Sequence, residues 1–187
     1  MRKLILLLIL TCCISTSNAQ KDQKIYTSPT WELKDINGNK HMFPENKNTV
    51  VLFWATWCPF CKKLMPHLQS ILFQYGEELN VQVFAMDIFE DEDHNPMNSQ
   101  KLLNNNGYDF ILFPKAEKIA QLYGVRGTPT LFVFNTKGEL IFNMKNVNLD
   151  KIKITDKDKN SKKASLLAPL WAAEIRKALV TKLNKIK

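Results

Sequence analysis

Two cysteines separated by two residues, Cys58 and Cys61, are the side chains whose type and spacing most clearly indicate chemistry. Such a pair can be a disulfide that staples the chain, half of a metal site, or a redox-active couple. A zinc site needs about four ligands, and the other candidates, His41, His67 and His94, show no paired spacing with the cysteines. A staple that closes so short a loop constrains the unfolded chain very little. The redox-active couple is therefore the favoured interpretation, and the other two remain as alternatives.

The residues around the pair predict a strand followed by a helix. The run "NTVVLFWAT", residues 48–56, is apolar and rich in β-branched side chains, which is typical of a strand buried on both faces. From Cys58 to Tyr75 the apolar residues recur at helical spacing. The first cysteine then falls at a helix N-terminus, where free N–H groups and the helix dipole stabilise a thiolate. We therefore expect Cys58 to attack a substrate disulfide and Cys61, one helical turn later, to resolve the mixed disulfide.

The rest of the sequence predicts an α/β fold built on a mixed sheet. Asn37-Gly38 lies between apolar residues, which is a strong hairpin signal. The further elements are a buried strand "VQVFAMDI", a short helix near 99–105, a brief strand near 109–112, a helix closed by Gly124, two strands joined by a Lys-Gly turn, and a closing helix. Strand-helix-strand units beside a terminal hairpin imply helices on both faces of the sheet.

The N-terminal segment has the layout of a secretory signal peptide. Arg2 and Lys3 precede an unbroken aliphatic run from Leu4 to Leu10, and Ala19 is a small residue suited to cleavage before Gln20. We expect residues 1–19 to be removed on export, which makes the protein periplasmic or otherwise extracytoplasmic and leaves two of its four cysteines. An uncleaved anchor and a lipid attached to a cysteine of this segment are the alternatives, and either would provide the only membrane contact.

The remaining chain is expected to form one domain. Residues 20–30 are predicted as a flexible segment and 31–187 as the domain, with 145–165 as an exposed basic connection and 166–184 as the closing helix. The part of the chain from residue 145 holds 12 Lys/Arg and 4 Asp/Glu, while the part before it holds 14 of each, so the net charge of +8 belongs to the C-terminal part. The lysine-rich connection contains no aromatic residue, which argues against nucleic-acid binding.

An acidic run follows the second predicted buried strand, with carboxylates at Asp87, Glu90, Asp91, Glu92 and Asp93. Such a run could hold a hard cation, but it lacks the glycine and the alternate ligand spacing of a calcium-binding loop. We predict a plain acidic loop here and no metal site.

Two motifs resemble one known family. The segment "FWATWCPFCKKLMP", residues 53–66, resembles the thioredoxin active site, and in particular that of the TlpA/ResA-like extracytoplasmic branch. The segment "YGVRGTPTLFVFNTKGEL", residues 123–140, is similar to the thioredoxin segment that carries a cis-proline. The resemblance covers about 31–144, together with the closing helix in a looser form. It implies a thioredoxin fold, with a central mixed sheet flanked by helices, an N-terminal hairpin extension and a C-terminal helix.

The resemblance also implies roles for individual residues. Cys58 would be the attacking thiolate and Cys61 the resolving thiol, with no cofactor beyond their disulfide. Thr128-Pro129 would be a cis peptide whose backbone pairs with the substrate as an added strand. Trp57 would shield the sulfur atoms. Trp57, Thr128 and Pro129 are thus predicted to bind substrate. Pro59 and Phe60 are predicted to bind it as well, and they form the dipeptide that tunes the redox potential in this fold.

Two positions depart from the family pattern. Thioredoxins carry a buried aspartate where this chain has Leu52, and ResA-like members often carry a glutamate where it has Leu64. Both carboxylates accept a proton near the resolving thiol in their families. The proton acceptor for Cys61 is therefore not identified by the resemblance.

These observations predict an extracytoplasmic thiol–disulfide oxidoreductase that uses Cys58 and Cys61 on protein disulfides. The resemblance suggests a reductase in cytochrome c maturation or disulfide repair, with protein thiols or disulfides as substrates and an upstream electron donor. An oxidase that donates its own disulfide is one alternative. A non-catalytic binding module or metal-delivery accessory with the same fold is the other, although such a module needs neither the cysteine pair nor Thr128-Pro129.

Overall fold

The computed structural model describes residues 26–149 and 159–183, and these residues form a mixed set of strands and helices. The strands are β1 (Trp31–Lys34), β2 (Lys40–Phe43), β3 (Asn48–Trp54), β4 (Val81–Asp87), β5 (Ile111–Phe113), β6 (Thr130–Phe134) and β7 (Leu140–Asn143). The helices are α1 (Pro59–Tyr75), α2 (Pro96–Asn105), α3 (Glu117–Leu122) and α4 (Asn160–Leu183), with a 3-10 turn at Met144–Asn146. The predicted signal peptide lies outside the described residues, and so do residues 150–158 of the predicted basic connection.

A five-stranded sheet in the order β5-β4-β3-β6-β7 organises these elements. Strand β3 is parallel to β4, β4 is parallel to β5, and β6 is antiparallel to both β3 and β7. Strands β1 and β2 form a separate antiparallel hairpin around Asn37-Gly38. The predicted thioredoxin fold, with its mixed sheet, N-terminal hairpin and C-terminal helix, is confirmed.

Both faces of β3 are buried, as its continuous apolar run predicts. Val50, Leu52 and Trp54 pack into the core beneath α1 and α4. Val51 and Phe53 point to the opposite face, into a second core. That second core is closed by aromatic residues of the hairpin and by α3. Each fully buried large apolar side chain contributes about 1.5–3 kcal/mol to stability. Strand β3 is therefore strongly held in the fold, and it fixes the position of the loop that follows it.

The structure changes the bounds of three predicted elements. Helix α2 begins at Pro96, before the predicted 99–105, because Asn95 caps it through Oδ1, which accepts a hydrogen bond from the Met97 N–H at 2.9 Å. Strand β5 spans Ile111–Phe113 rather than 109–112. Helix α4 begins at Asn160 rather than 166, and its buried face starts with Ala164. Within the described residues no helix is both long and apolar enough to cross a membrane.

Candidate active site

The cysteine pair lies at the junction of β3 and α1. After β3 ends at Trp54, a turn is closed by the Cys58 N–H, which donates to the Ala55 carbonyl at 3.1 Å. Cys58 is the N-cap of α1: its backbone is extended, and its Sγ accepts a hydrogen bond from the Cys61 N–H at 3.1 Å. Pro59 follows as the first helical residue, a position that proline favours because its fixed φ suits the helix. The Sγ of Cys58 therefore lies where the helix dipole stabilises negative charge.

Cys58 and Cys61 are joined by a disulfide, with their Cα atoms 5.3 Å apart. That separation lies in the usual range for disulfides. The structure therefore represents the oxidised state of the pair, in which neither sulfur atom is free to bind a metal ion.

Both cysteines are buried in this state, with Cys58 1% and Cys61 0% exposed. The helix N-terminus predicted for Cys58 is present, but in the oxidised protein its sulfur atom is covered, which the sequence did not predict. Its neighbours provide the accessible surface instead, because Trp57 is 55% exposed, Pro59 is exposed and Phe60 is half-buried. These three residues form an apolar rim around the buried disulfide.

Trp57 is held by a contact that the sequence did not predict. Its Nε1–H donates to the carbonyl of Phe89 at 2.9 Å. Phe89 has a positive φ of 59° and exposes part of its own ring, so it extends the apolar rim beside Trp57. The indole is thus fixed from the loop that follows β4, while about half of the residue remains exposed.

Thr128-Pro129 lies at the same end of the sheet as the cysteine loop. The antiparallel pair Phe53 and Thr130 places the dipeptide just beyond the carboxyl end of β3. The Thr128-Pro129 peptide bond is cis. The Thr128 Oγ1 is buried and has no hydrogen-bond partner. All the residues predicted to bind substrate are therefore carried by two segments at one end of the sheet.

The core beneath the disulfide is apolar at the two positions that depart from the family pattern. Leu52 and Leu64 are fully buried in the same cluster as Cys61. An apolar environment disfavours a buried thiolate. These two side chains therefore give no support to a thiolate at the buried Cys61.

A polar cluster lies beside the cysteine loop, at the carboxyl end of β4. Asp87 is the residue opposite Trp54 in the parallel β3–β4 register. Its Oδ2 accepts a hydrogen bond from Ser99 Oγ at 2.5 Å and lies 3.4 Å from His94 Nε2. His94 Nδ1 lies 3.5 Å from Glu90 Oε2.

Glu90 joins this cluster to the cysteine loop. One of its carboxylate oxygens accepts a hydrogen bond from the Thr56 backbone N–H. The other accepts from Thr56 Oγ1 at 3.0 Å. Since Thr56 is two residues before Cys58, the Glu90 carboxylate fixes the start of the turn that presents the cysteine pair.

Asp87 has a perturbed carboxyl group. Burial disfavours its charged form and, with the nearby Glu90 charge, raises the pKa of Asp87 to about 6, against the opposing hydrogen bond from Ser99. Its Oδ1 is buried and has no hydrogen-bond partner. The sequence predicted a plain acidic loop here. The sequence feature that could have indicated this polar cluster is an aspartate at the end of a buried strand, followed a few residues later by a histidine.

Comparison with known proteins gives concordant matches. The profile of one family, described as a thioredoxin-like domain, matches residues 39–147. A protein named thiol-disulfide oxidoreductase ResA, from Halalkalibacterium halodurans, is 31% identical over 112 residues, which cover 58% of this chain and 61% of that protein. A protein named sporulation thiol-disulfide oxidoreductase A, from Bacillus subtilis, is 27% identical over 125 residues, which cover 65% of this chain and 74% of that protein.

A solved structure has a similar fold. The crystal structure of StoA from Bacillus subtilis superimposes with a TM-score of 0.50 at 25% sequence identity, and the match covers 60% of this chain and 84% of that one. Two of the ResA relatives are longer than the matched region, which spans 61% and 64% of their lengths. The similarity is therefore concentrated in the part of the chain that contains the sheet and the cysteine pair.

Proposed function

The chain belongs to the thioredoxin-like family, and on that basis we propose that it is a thiol–disulfide oxidoreductase whose redox-active pair is Cys58 and Cys61. The observation that carries this proposal is the disulfide at the N-terminus of α1. A helix N-terminus favours the thiolate over the thiol, and the thiolate is the form that attacks disulfides. The names of the related proteins agree with this activity.

The proposed reaction is a reduction of protein disulfides in two exchanges. The Cys58 thiolate attacks one sulfur atom of the substrate disulfide, whose S–S bond breaks and releases one substrate thiolate. Cys61 then loses its thiol proton and attacks Cys58 Sγ, which breaks the mixed disulfide and releases the second substrate thiolate. Two electrons pass from the cysteine pair to the substrate. A donor dithiol restores the pair by the reverse exchanges.

Substrate contact is assigned to the exposed rim around the disulfide. Trp57, Pro59 and Phe60 offer apolar contact area, and the backbone at Thr128-Pro129 offers hydrogen-bonding groups to an extended polypeptide. Support comes from their placement at one end of the sheet. No cofactor is needed, because the cysteine pair itself carries the electrons.

We place the activity outside the cytoplasm. The support is the signal-peptide layout of residues 1–19 and the cysteine content of the expected mature chain, a single domain over 31–187, in which only Cys58 and Cys61 remain. A reductase in an oxidising compartment needs an upstream donor of electrons. Cytochrome c maturation and the repair of wrongly paired disulfides are the proposed processes.

The decisive experiment compares two single variants in one assay. Purified mature protein should accelerate the reduction of insulin disulfides by dithiothreitol, and Cys58→Ser should abolish that acceleration. Cys61→Ser should instead accumulate mixed disulfides, because its Cys58 can attack but nothing resolves the product. Trapping by Cys58→Ser rather than Cys61→Ser would reverse the assignment, and no acceleration by the wild type would refute the activity.

The direction of electron transfer is tested by the redox potential of the pair, measured in glutathione or dithiothreitol buffers. A potential near about −270 mV is typical of a reductase, whereas one near about −120 mV is typical of a disulfide donor. We expect the former. A value at the oxidising end would replace the proposed reductase with an oxidase.

The missing carboxylate near Cys61 provides a further test. With Leu52 and Leu64 beneath the pair, we propose that water or the departing substrate thiolate takes the Cys61 proton. Introducing a carboxylate by Leu64→Glu should then accelerate release of the mixed disulfide, while Leu64→Gln, of similar size, should not. Equal rates for both variants would show that another base already serves this step.

A further inference from the structure

We propose that Asp87, Glu90 and His94 form a binding site for a divalent metal ion of the zinc class, beside the loop that carries the cysteine pair. One donor atom from each of the three residues lies within 4.8 Å of the other two. Zinc binds carboxylate oxygen and imidazole nitrogen at about 2.0–2.2 Å, so in its preferred tetrahedral geometry two ligand atoms of one ion lie about 3.3–3.6 Å apart. Small side-chain rotations therefore bring the three donor atoms within reach of one ion.

An unpartnered oxygen of Asp87 is the independent sign of a ligand. Asp87 is only 2% exposed and lines a cavity, and its Oδ1 has no hydrogen-bond partner. A buried carboxylate oxygen without a partner is costly, because it has lost water and gained nothing in return. Ser99 donates to Oδ2, the other oxygen of the same carboxylate, which holds the group in place and leaves Oδ1 available.

The hydrogen bonds of His94 also point to a cation. Ser99 has one hydroxyl proton and donates it to Asp87 Oδ2, so it can only accept from His94 Nε2, which lies 3.0 Å away. In the neutral imidazole this leaves Nδ1 as a bare acceptor, 3.5 Å from the carboxylate oxygen Oε2 of Glu90. Two acceptors repel at that distance, and a cation bound between them turns the repulsion into two favourable contacts.

The cavity has room and charge suited to an ion. Its volume is about 190 Å³, several times the share of about 30 Å³ that a water molecule occupies in the liquid, so an ion and its remaining water ligands fit. Three further carboxylates line it, those of Asp91, Glu92 and Glu117, against the single ammonium group of Lys115. The local field therefore attracts cations.

The donor set selects the class of ion. Calcium takes six to eight oxygen ligands, and magnesium binds through carboxylates and several waters. Imidazole is a ligand that suits zinc and its neighbours in the first transition row. Two carboxylates, one imidazole and an open position for water complete the tetrahedral set that zinc prefers. Since Glu90 also holds Thr56, an ion at this site would be joined to the cysteine loop through one side chain.

Zinc titration of the oxidised protein tests the proposal without depending on the proposed redox activity. The full mature chain is oxidised, stripped of metal with a chelator and desalted, and Zn²⁺ alone is added in a calorimeter. The disulfide keeps both sulfur atoms from binding. We expect one ion per chain. Asp87→Asn and His94→Ala should each weaken the affinity by at least about tenfold, since even the outer partners of metal ligands change affinity by that amount.

Matched controls separate a built site from a diffuse acidic surface. Asp91→Asn removes a carboxylate that lines the same cavity but is outside the three ligands, and His67→Ala removes a histidine elsewhere; both should bind zinc within about twofold of the wild type. Circular dichroism checks that each variant is folded. Oxidised protein that binds no zinc would overturn the proposal. Equal losses in Asp91→Asn and Asp87→Asn would overturn it as well.

Discussion

Two regions of this protein each place a histidine between two carboxylates, yet their chemistry differs. In the N-terminal hairpin, His41 Nε2 lies 3.2 Å from Asp35 Oδ2, and His41 Nδ1 lies 2.8 Å from Glu45 Oε1. At the end of β4, the nitrogens of His94 lie between Asp87 and Glu90 in the same way. Residue types alone would assign both clusters the same role.

The difference lies in the supply of hydrogen-bond donors. Asp35 Oδ1 accepts from the N–H groups of Asn37 and Asn39, both at 2.9 Å, and its Oδ2 accepts from Asn39 Nδ2 at 3.0 Å. Burial opposes the charged form of Asp35, but these hydrogen bonds and the one from His41 outweigh it and lower the pKa. Asp87 has donors on one oxygen only, so burial prevails and raises its pKa to about 6. The Asp35 carboxylate has hydrogen-bond donors on both oxygens and stabilises a turn, whereas Asp87 Oδ1 has no donor and is available to a ligand.

The largest predicted effect is on the hairpin. Asp35→Ala leaves the N–H groups of Asn37 and Asn39 without their acceptor, and hydrogen bonds to a charged group contribute about 1.5–3 kcal/mol each before neighbouring groups adjust. We expect a loss of about 3 kcal/mol in the free energy of unfolding, measured by urea denaturation at pH 7.

A second turn in the same protein provides the control for this prediction. Asn135 Oδ1 accepts from the N–H groups of Lys137 and Glu139 at 3.0 and 2.9 Å, so a neutral amide does there what the Asp35 carboxylate does in the hairpin. The folded pKa of Asp35 is below its unfolded value of 3.8, so its contribution is present above that pH and is lost as the pH falls through the folded pKa. The cost of Asp35→Ala should therefore shrink in acid, whereas the cost of Asn135→Ala should not. Equal pH profiles would contradict the ionic role of Asp35.

Asp87→Asn should have a smaller effect of the opposite sign when a chelator keeps metal ions away. The folded pKa of Asp87, about 6, is above the unfolded value of 3.8, so stability falls as the pH rises from about 4 to about 6. The amide removes that penalty, and we expect a gain on the order of 1–2 kcal/mol at pH 7 and none at pH 3.5. A loss of stability at pH 7 would show that the Asp87 carboxylate is satisfied in solution.

The two regions also show what can be predicted from the sequence. The cysteine pair and the hairpin turn depend on residues within a few positions of one another, so local patterns identify them: a strand followed by a helix around Cys58, and a turn at Asn37-Gly38, where Gly38 has a φ of 86°. The thioredoxin-like arrangement of the sheet followed from two motifs of this local kind.

The cluster around Asp87 could not be predicted in the same way. Its contacts join the end of β4, the loop after it, helix α2 and the cysteine loop, and the hydrogen bond between Glu90 and Thr56 joins residues 34 positions apart. The acidic run was visible in the sequence, but which carboxylate oxygen receives a donor depends on the folded arrangement. Burial of Cys58 in the oxidised protein was missed for a similar reason, because its cover comes from packing rather than from sequence spacing.

The smallest predicted effect isolates the contribution of one charge to the second cluster. The Glu90 charge raises the pKa of Asp87 in addition to burial. Glu90→Gln removes that charge and keeps an amide oxygen that can accept from the Thr56 N–H. The Asp87 pKa should therefore fall below about 6 without reaching 3.8, because burial still disfavours the charged form.

A carboxyl-carbon NMR titration in a chelating buffer measures the Asp87 pKa, and the free energy of unfolding should change by less than about 1 kcal/mol. Asp91→Asn is the control, since Asp91 lines the cavity without contributing to that pKa. If both variants leave the Asp87 pKa unchanged, burial alone accounts for the raised pKa that distinguishes Asp87 from Asp35. Repulsion between Asp87 and Glu90 then has no part in making Asp87 available to a ligand.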